Sequence, residues 1–263
     1  MTSSGPQTFT PPKPKALASI LVVAHNAEAT LSPCLKSLLK QSLKQIEILV
    51  IDNGSTDETP DILASAVAVD SRIRIITRKE AEPLSDVVNL ALREAIGRYV
   101  SLQHIGGISA PERLAYQIQH LQNHAGAVLC AASAREEFPD GTQKDWLIAP
   151  EDATGGVLNR ALSHSVPFLG SSAVFDRSVL LNSGPLEGNE HAELLYHAAF
   201  KVVHKGKFIG EPKLLYVERK VKPTLSAKWE GAKANLHLRN RYFPAQKLEN
   251  LKSFVKDMLT KSA

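Results

Sequence analysis

The chain has few cysteines, few aromatic residues and no long apolar run. Its 263 residues include two cysteines and only 6% aromatic residues. Cys34 lies in a helical pattern and Cys130 in an apolar strand pattern, which predicts buried thiols rather than a disulfide and favours a cytoplasmic location. No apolar stretch approaches the roughly 20 residues that a membrane-spanning helix needs. Disulfide-stapled secreted domains and membrane-embedded proteins are therefore not expected.

A strong charge of one sign is also absent from most of the chain. Residues 219–263 carry 11 Lys and Arg against 3 Asp and Glu, and the preceding residues carry 20 against 24, which accounts for the formal net charge of +4. The basic character thus belongs to the C-terminal segment. Such a localised basic tail argues against a general nucleic-acid surface, so no nucleic-acid partner is expected.

The composition divides the chain into three parts. Residues 1–15 are rich in proline and lack the apolar core of a secretory signal, which predicts a disordered leader. Residues 16–218 contain the patterned apolar segments and are expected to form one domain with its own core. Residues 219–263 form a basic extension, in which 245–260 have the spacing of a basic amphipathic helix. That helix is expected either to dock on its own domain or to contact a membrane surface or a partner protein.

Apolar segments alternate with helical patterns along the domain. Strands are predicted at 18–24, 46–51, 72–77, 99–102 and 127–132, with helices at 28–41, 58–68, 85–96 and 111–123. Strands separated by helices of this length predict an α/β fold with a mostly parallel sheet and right-handed crossovers. A less regular half with a short helix near Ala153–Leu162 follows, and the domain is expected to close with a helix at 190–205 and two strands, Lys207–Gly210 and Lys213–Glu218.

Polar turns follow the first two predicted strands. The strand Ser19–Ala24 runs into His25 and Asn26, and the strand Ile46–Ile51 runs into the turn Asp52-Asn53-Gly54-Ser55-Thr56-Asp57. Ligands of open α/β sheets sit at the carboxyl ends of the strands, so these turns predict a binding crevice. The alternative is a pair of ordinary strand-to-helix turns, with Thr56 or Asp57 as the N-cap of the following helix.

These segments resemble the inverting family 2 glycosyltransferases, which have the GT-A fold. The resemblance rests on the opening Ser19–Asn26, on Val50–Asp57, on Asn89 and on the segments Ala95–Val100 and Ile108–Leu114. It implies a Rossmann-like, mostly parallel central sheet flanked by helices. It also implies a sugar nucleotide as ligand, bound around Ala24, His25, Asn26, Asp52, Asn53, Gly54, His104 and Gly106.

The chain departs from this family at the positions that carry the family's chemistry. By alignment, the family's metal-binding Asp-x-Asp motif falls on His104-Ile105-Gly106, so both carboxylates are absent and no metal cofactor is expected. Asn53 stands where the family usually has an acid that contacts the nucleobase, and Val88 where it often has an arginine. The catalytic base, usually an Asp, falls on His191.

Several hypotheses about function follow from these departures. Loss of a charge-stabilising group costs several kcal/mol of transition-state stabilisation, so joint losses favour a catalytically weak or silent GT-A module that binds a nucleotide or glycan, or that acts as the partner of an active glycosyltransferase or another protein. The alternative is an active, divalent-metal-independent inverting glycosyltransferase of polysaccharide or glycan biosynthesis, with His191 as base and with Arg113 and Lys79 as sources of positive charge. A zinc site at His25, His104 and His191, and a peripheral membrane adaptor based on the basic tail, are further hypotheses.

Overall fold

The computed structural model describes residues 16–149, 167–220, 236–237 and 240–243. These residues form a nine-stranded sheet flanked by helices. Its strands are β1 (Ala18–Ala24), β2 (Ile46–Asn53), β3 (Ile73–Arg78), β4 (Tyr99–Gln103), β5 (Gly107–Ser109), β6 (Ala127–Glu137), β7 (Gln143–Trp146), β8 (Ala173–Asp176) and β9 (Lys207–Arg219). The predicted α/β class is confirmed.

The sheet combines a parallel half with a mixed half. Its strand order is β3-β2-β1-β4-β8-β6-β9-β5, and β7 pairs with β6. Strands β3, β2, β1 and β4 run parallel, because an intervening helix returns the chain to the same end of the sheet each time. Strand β8 pairs antiparallel with both β4 and β6, whereas β6 and β9 are parallel. The carboxyl ends of β1, β2 and β4 therefore lie next to one another at the same end of the sheet.

Helices cover both faces of the sheet. They are α1 (Glu28–Leu39), α2 (Thr59–Val69), α3 (Leu84–Glu94), α4 (Arg113–Asn123), α5 (Arg177–Leu181) and α6 (His191–Val202). Along β1, Leu21 belongs to the hydrophobic cluster that includes α3 and α6, while Ile20 and Val22 belong to the cluster that includes α1 and α4. This alternation follows from the two-residue period of a strand. Because both of its faces are covered, β1 is apolar apart from Ser19, whose buried hydroxyl donates to Glu47.

The second half of the sheet differs from the prediction. Strands β5, β7 and β8 were not predicted, since each has only three or four residues and becomes a strand by pairing with a longer neighbour. The two predicted closing strands, Lys207–Gly210 and Lys213–Glu218, are one strand. Strand β9 follows β6 across register shifts near Ser133, and a bulge of this kind lets pairing continue past Pro212.

Part of the basic extension is described and docks on α6. The Tyr242 ring stacks on Phe200 at 5.8 Å between centroids, and the Tyr242 hydroxyl lies 3.1 Å from Nε2 of His197. Phe243 also packs against this cluster. The predicted leader at 1–15, the short helix near Ala153–Leu162 and the amphipathic helix at 245–260 lie outside the described residues. None of the helices in the described part of the chain has the length and apolar character to cross a bilayer.

Candidate functional site

Three strand ends meet at one edge of the sheet. Strand β1 pairs in register with β2, so that Ala24 lies opposite Asp52, and with β4, so that Val22 lies opposite Gln103. The turns that follow these strands, and the start of α6 at His191, carry the predicted site residues, which lie at this end of the sheet in two groups. The first group is Ala24, His25, Asn26, Asp52, Asn53 and Gly54, and the second is His104, Gly106 and His191.

The turns after β1 and β2 are hydrogen-bonded to each other. Asn26 has a φ of 47°, and its side-chain Oδ1 accepts from the Thr56 N–H at 2.8 Å. The Asn26 N–H donates to Ser55 Oγ at 3.1 Å, and the Ser55 N–H donates to Asp52 Oδ1 at 3.1 Å. These predicted ligand-binding side chains therefore hold the two turns together in the structure.

The first turns of α1 and α2 share a cap. Asp57 Oδ1 accepts from the Thr59 N–H at 2.9 Å, and its Oδ2 accepts from the Glu28 N–H at 3.1 Å. Helix α2 begins at Thr59, and the side chain of Glu58 at its N-cap makes no capping hydrogen bond. Of the two residues predicted to cap this helix, Thr56 and Asp57, it is Asp57 that supplies the side-chain cap, from one residue further out, where it can serve both helices.

Asn53 binds the loop after β3 through its side-chain amide. Its Nδ2 donates to the Glu82 carbonyl at 3.0 Å, and its Oδ1 accepts from the Glu82 N–H at 3.0 Å. The next residue, Gly54, has a φ of 71°, and a Cβ there would lie 2.6 Å from the Ala81 nitrogen. His25 is exposed, and its Nδ1 lies 2.8 Å from the Asn53 carbonyl oxygen. Asn53, which is expected to stand at the position of the family's nucleobase acid, thus holds the loop after β3 through its side-chain amide.

Asn53→Asp is expected to destabilise the fold by about 1–3 kcal/mol, because a carboxylate cannot donate to the Glu82 carbonyl and leaves it facing an acceptor. Chemical denaturation of the two proteins measures the change. The matched control is Asn26→Asp, since the Asn26 side chain only accepts hydrogen bonds and a carboxylate can accept the same ones. Equal losses in the two variants would contradict the proposed role of the amide.

His104 and His191 form an edge-to-face pair with ring centroids 5.0 Å apart. His104 Nδ1 accepts from the Gly106 N–H at 3.1 Å, while Nε2 of His191 is shut off from water and has no hydrogen-bond partner among the described residues. Burial, and then the nearby His104, lowers the pKa of His191 from 6.5 to about 3. Burial also lowers the pKa of His104. Both imidazoles are therefore neutral at neutral pH.

Three charged residues that the sequence analysis missed lie beside this pair. Glu218 Oε1 is 3.7 Å from His104 Nδ1, and Lys220 Nζ is 2.8 Å from Glu218 Oε1 and 3.4 Å from Glu136 Oε1. Glu218 is fully buried and Glu136 is 7% exposed. Glu218 and Lys220 are two residues apart at the end of a predicted strand, and this spacing places both side chains on one face of the sheet. The two-residue spacing of Glu218 and Lys220 was therefore the signal in the sequence that could have shown that their side chains lie together.

The predicted sources of positive charge lie elsewhere. Arg113 is fully buried, with a guanidinium nitrogen 3.3 Å from Gln103 Oε1 and its charged group 5.2 Å from the centre of the Tyr216 ring. Burial lowers its pKa to about 10, so it stays charged inside the domain. Lys79 is exposed after β3. Val88 is 1% exposed and belongs to the core.

The residues His104, Ile105 and Gly106, on which the family's metal motif is expected to fall, do not fit Mg²⁺ or Mn²⁺. They offer one imidazole, whose Nδ1 is already bound by the Gly106 N–H, and the nearby Glu218 carboxylate is paired with Lys220. Hard divalent cations prefer several oxygen ligands. Across residues 16–149, 167–220 and the short described C-terminal pieces, no three His, Cys, Asp or Glu side chains are placed to hold a metal ion, so the zinc hypothesis gains no support.

Comparison with protein-family models identifies a family for most of the chain. Residues 19–181 match the model described as Glycosyl transferase family 2. Among curated proteins, the chain is 32% identical over 106 residues to the Escherichia coli protein WfaP, described as a UDP-Glc:alpha-D-GlcNAc-diphosphoundecaprenol beta-1,3-glucosyltransferase. The match covers 40% of this chain and 41% of WfaP. The chain likewise spans less than half the length of several other curated relatives.

Two solved structures share the fold at low sequence identity. Staphylococcus aureus TarS 1–349 in complex with UDP-GlcNAc superposes with a TM-score of 0.62 at 15% identity, over 92% of this chain and 81% of that one. The mannosyltransferase PcManGT from Pyrobaculum calidifontis, in complex with GDP-Man and Mn²⁺, gives a TM-score of 0.65 at 16% identity, over 98% and 79% of the two chains. The likeness extends to nearly the whole chain.

Proposed function

Because the chain belongs to glycosyl transferase family 2, we propose that it is a GT-A module of glycan biosynthesis that binds a sugar nucleotide or a glycan and has little or no transfer activity. The observation that carries this proposal is the neutral His104–His191 pair at the positions of the family's metal carboxylate and base. Sugar nucleotides as ligands are supported by the UDP-GlcNAc and GDP-Man complexes of the two structural relatives.

Electrostatics supports weak or absent catalysis. Transfer from a sugar nucleotide releases a diphosphate, whose negative charge a transferase must stabilise as the glycosidic bond breaks. Here Arg113 is enclosed in the domain, and Lys220 is paired with two carboxylates. A general base works best with a pKa near the working pH, whereas the pKa of His191 is lowered to about 3. The site is thus poorly suited both to stabilising the diphosphate and to removing a proton from the acceptor.

Sugar nucleotides are expected to raise the melting temperature of this protein to the same extent with and without Mn²⁺, because the family's metal position lacks carboxylates. The measurement is a thermal-shift screen of UDP-, GDP- and TDP-sugars at millimolar concentration. A shift that requires Mn²⁺ would contradict the proposal. Sugar transfer above background, measured in the same samples with candidate acceptors, would replace it with the alternative below.

The alternative is an active, metal-independent inverting transferase with His191 as base. One observation favours it: Nε2 of His191 is neutral and has no hydrogen-bond partner in the described structure, so its lone pair is free for a substrate proton. Acceptor binding would have to displace His104 or open the crevice, so that the pKa of His191 rises. Metal-independent transfer that disappears in His191→Gln would establish this function.

We further propose a cytoplasmic protein that meets a partner protein or an anionic membrane surface through residues 245–260. The support is the excess of basic residues in 219–263 together with the amphipathic spacing of that segment. Co-sedimentation of the full chain with anionic and neutral vesicles separates the two partners, since only a membrane contact depends on the lipid charge.

A further inference from the structure

Lys220, which directly follows β9, lies among polar side chains that are held in place by hydrogen bonds. Glu218 pairs with Gly107 of β5, the Arg219 N–H donates to the Gly106 carbonyl at 3.1 Å, and the Lys220 N–H donates to the Glu137 carbonyl at 2.9 Å. The chain is therefore fixed on both sides, between the segment after β4 and the end of β6. This backbone pairing, rather than side-chain flexibility, sets the position from which Lys220 reaches the neighbouring acids.

Two buried carboxylates are arranged around the Lys220 ammonium in the same way. In Glu218, Oε2 accepts from the Tyr216 hydroxyl at 3.2 Å, and Oε1 faces Lys220 Nζ at 2.8 Å. In Glu136, Oε2 accepts from Trp146 Nε1 at 2.8 Å, and Oε1 faces Lys220 Nζ at 3.4 Å. One oxygen of each acid is thus held by a neutral donor, which orients the other toward a shared cation.

An imidazole lies beside the set. His104 Nδ1, which accepts from the Gly106 N–H, lies 3.7 Å from the oxygen of Glu218 that faces Lys220, and the ring of His191 packs against His104. The two carboxylates are oxygen donors of the kind that a divalent ion accepts. Without a positive charge between them, two acids buried this deeply would be costly, because each loses its hydration.

We infer that Glu136 and Glu218 form a cation-binding cluster whose resident cation is the Lys220 ammonium, which takes the place of a divalent ion. A tethered ammonium is present at every metal concentration and excludes other cations by occupying the shared space. It carries one charge, where Mg²⁺ or Mn²⁺ carries two. The inference does not depend on whether the chain binds a sugar nucleotide. A negative nucleotide screen therefore leaves it intact, and a negative result in the experiment below leaves nucleotide binding intact.

The protonation states agree with this assignment. Burial by itself would lower the pKa of Lys220, but the charges of Glu218 and Glu136 outweigh it and raise that pKa. Burial would raise the pKa of Glu218, but Lys220 outweighs it and holds that pKa below its usual value. The ammonium and the carboxylate are therefore both charged over the physiological range.

Removing the ammonium is expected to turn the cluster into a metal site. Lys220→Gln removes the positive charge that the two carboxylates share, while the side chain stays of similar length. Calorimetric titration with Mn²⁺ and with Zn²⁺ should show one new site in the variant, with at least tenfold tighter binding than in the wild-type protein. The double variant Lys220→Gln/Glu218→Gln should lose that site, which separates it from binding by other histidines.

The matched control is Lys144→Gln. Lys144 Nζ lies 3.8 Å from Glu136 Oε2, but its side chain is 48% exposed, so its removal should create no new site. The inference is overturned if folded Lys220→Gln binds neither ion more tightly than the wild type, or if Lys144→Gln gains the same site.

A second measurement keeps the inference testable if Lys220→Gln does not fold. In the wild-type protein, amine labelling followed by mass spectrometry should modify Lys220 at least tenfold more slowly than Lys144, since the Lys220 ammonium is held by two acids and is only 25% exposed. Equal labelling rates would overturn the inference without any substitution.

Discussion

Glu47→Ala is expected to lower the free energy of unfolding by roughly 3–5 kcal/mol, one of the largest effects of any single change in this protein. The Glu47 side chain is 5% exposed and lies on β2. It accepts from Ser19 Oγ, from Arg74 Nε at 2.9 Å and from the Ile96 N–H at 3.0 Å. Removing the carboxylate leaves the Ser19 hydroxyl and the Ile96 N–H without this acceptor, and Arg74 keeps, among the described residues, only its bonds to Glu94, which is why the loss is large.

Glu94→Ala is the matched control. Glu94 also pairs with Arg74, at 3.4 Å, but its side chain is 47% exposed, and exposed ion pairs contribute under about 1 kcal/mol. Urea denaturation of the wild type and both variants gives the two differences. Similar losses for Glu47→Ala and Glu94→Ala would show that the buried acceptor position has no special role.

The protein is expected to lose stability steadily as the pH falls below 6.5. The folded chain keeps His191 neutral, because burial and then the nearby His104 lower its pKa from 6.5 to about 3. Between these values the unfolded chain binds a proton that the folded chain does not, so acidification favours unfolding, whereas above 6.5 the two states bind equally. The slope contributed by His191 is at most about 1.4 kcal/mol per pH unit. Burial lowers the pKa of His104 in the same direction.

Denaturant unfolding at successive pH values from 7.5 to about 4 measures this slope. His191→Gln should flatten the profile, because it removes the group that resists protonation in the folded state. His25→Gln removes an exposed imidazole from the same edge of the sheet and is the matched control. A wild-type profile that is flat through this range, or one that both substitutions flatten equally, would contradict the burial of His191.

The first half of the fold could be predicted because its signals are local. Strands β1, β2 and β3 and the helices between them begin and end within two residues of the predicted positions. Each is a continuous apolar run or a helical repeat, and each is long enough to show its period. Strand β8 has four residues and a position between β4 and β6 that depends on pairing across the sheet. No pattern within its own four residues predicts that they form a strand.

The candidate site divides in a similar way. The sequence predicted that the turns after β1 and β2 would meet, and the structure brings Asn26 and Thr56 into contact. It also predicted that His25, His104 and His191 would lie near one crevice, and of these the rings of His104 and His191 are in contact. Their roles as ligand or catalytic residues stay predictions. The side-chain use of Asn53, bound to the Glu82 backbone, could not be anticipated from the residue alone.

The sequence by itself determined the family and the parallel half of the sheet, since both depend on residue types and local order. Only the tertiary structure decided which side chains meet around His104 and His191. The pKa of His191 depends on burial, and the Lys220 ammonium reaches Glu136 as well as Glu218 because β6 and β9 are paired side by side, with Glu136 opposite Glu218. Burial and long-range pairing are properties of the folded chain, so no local pattern records them.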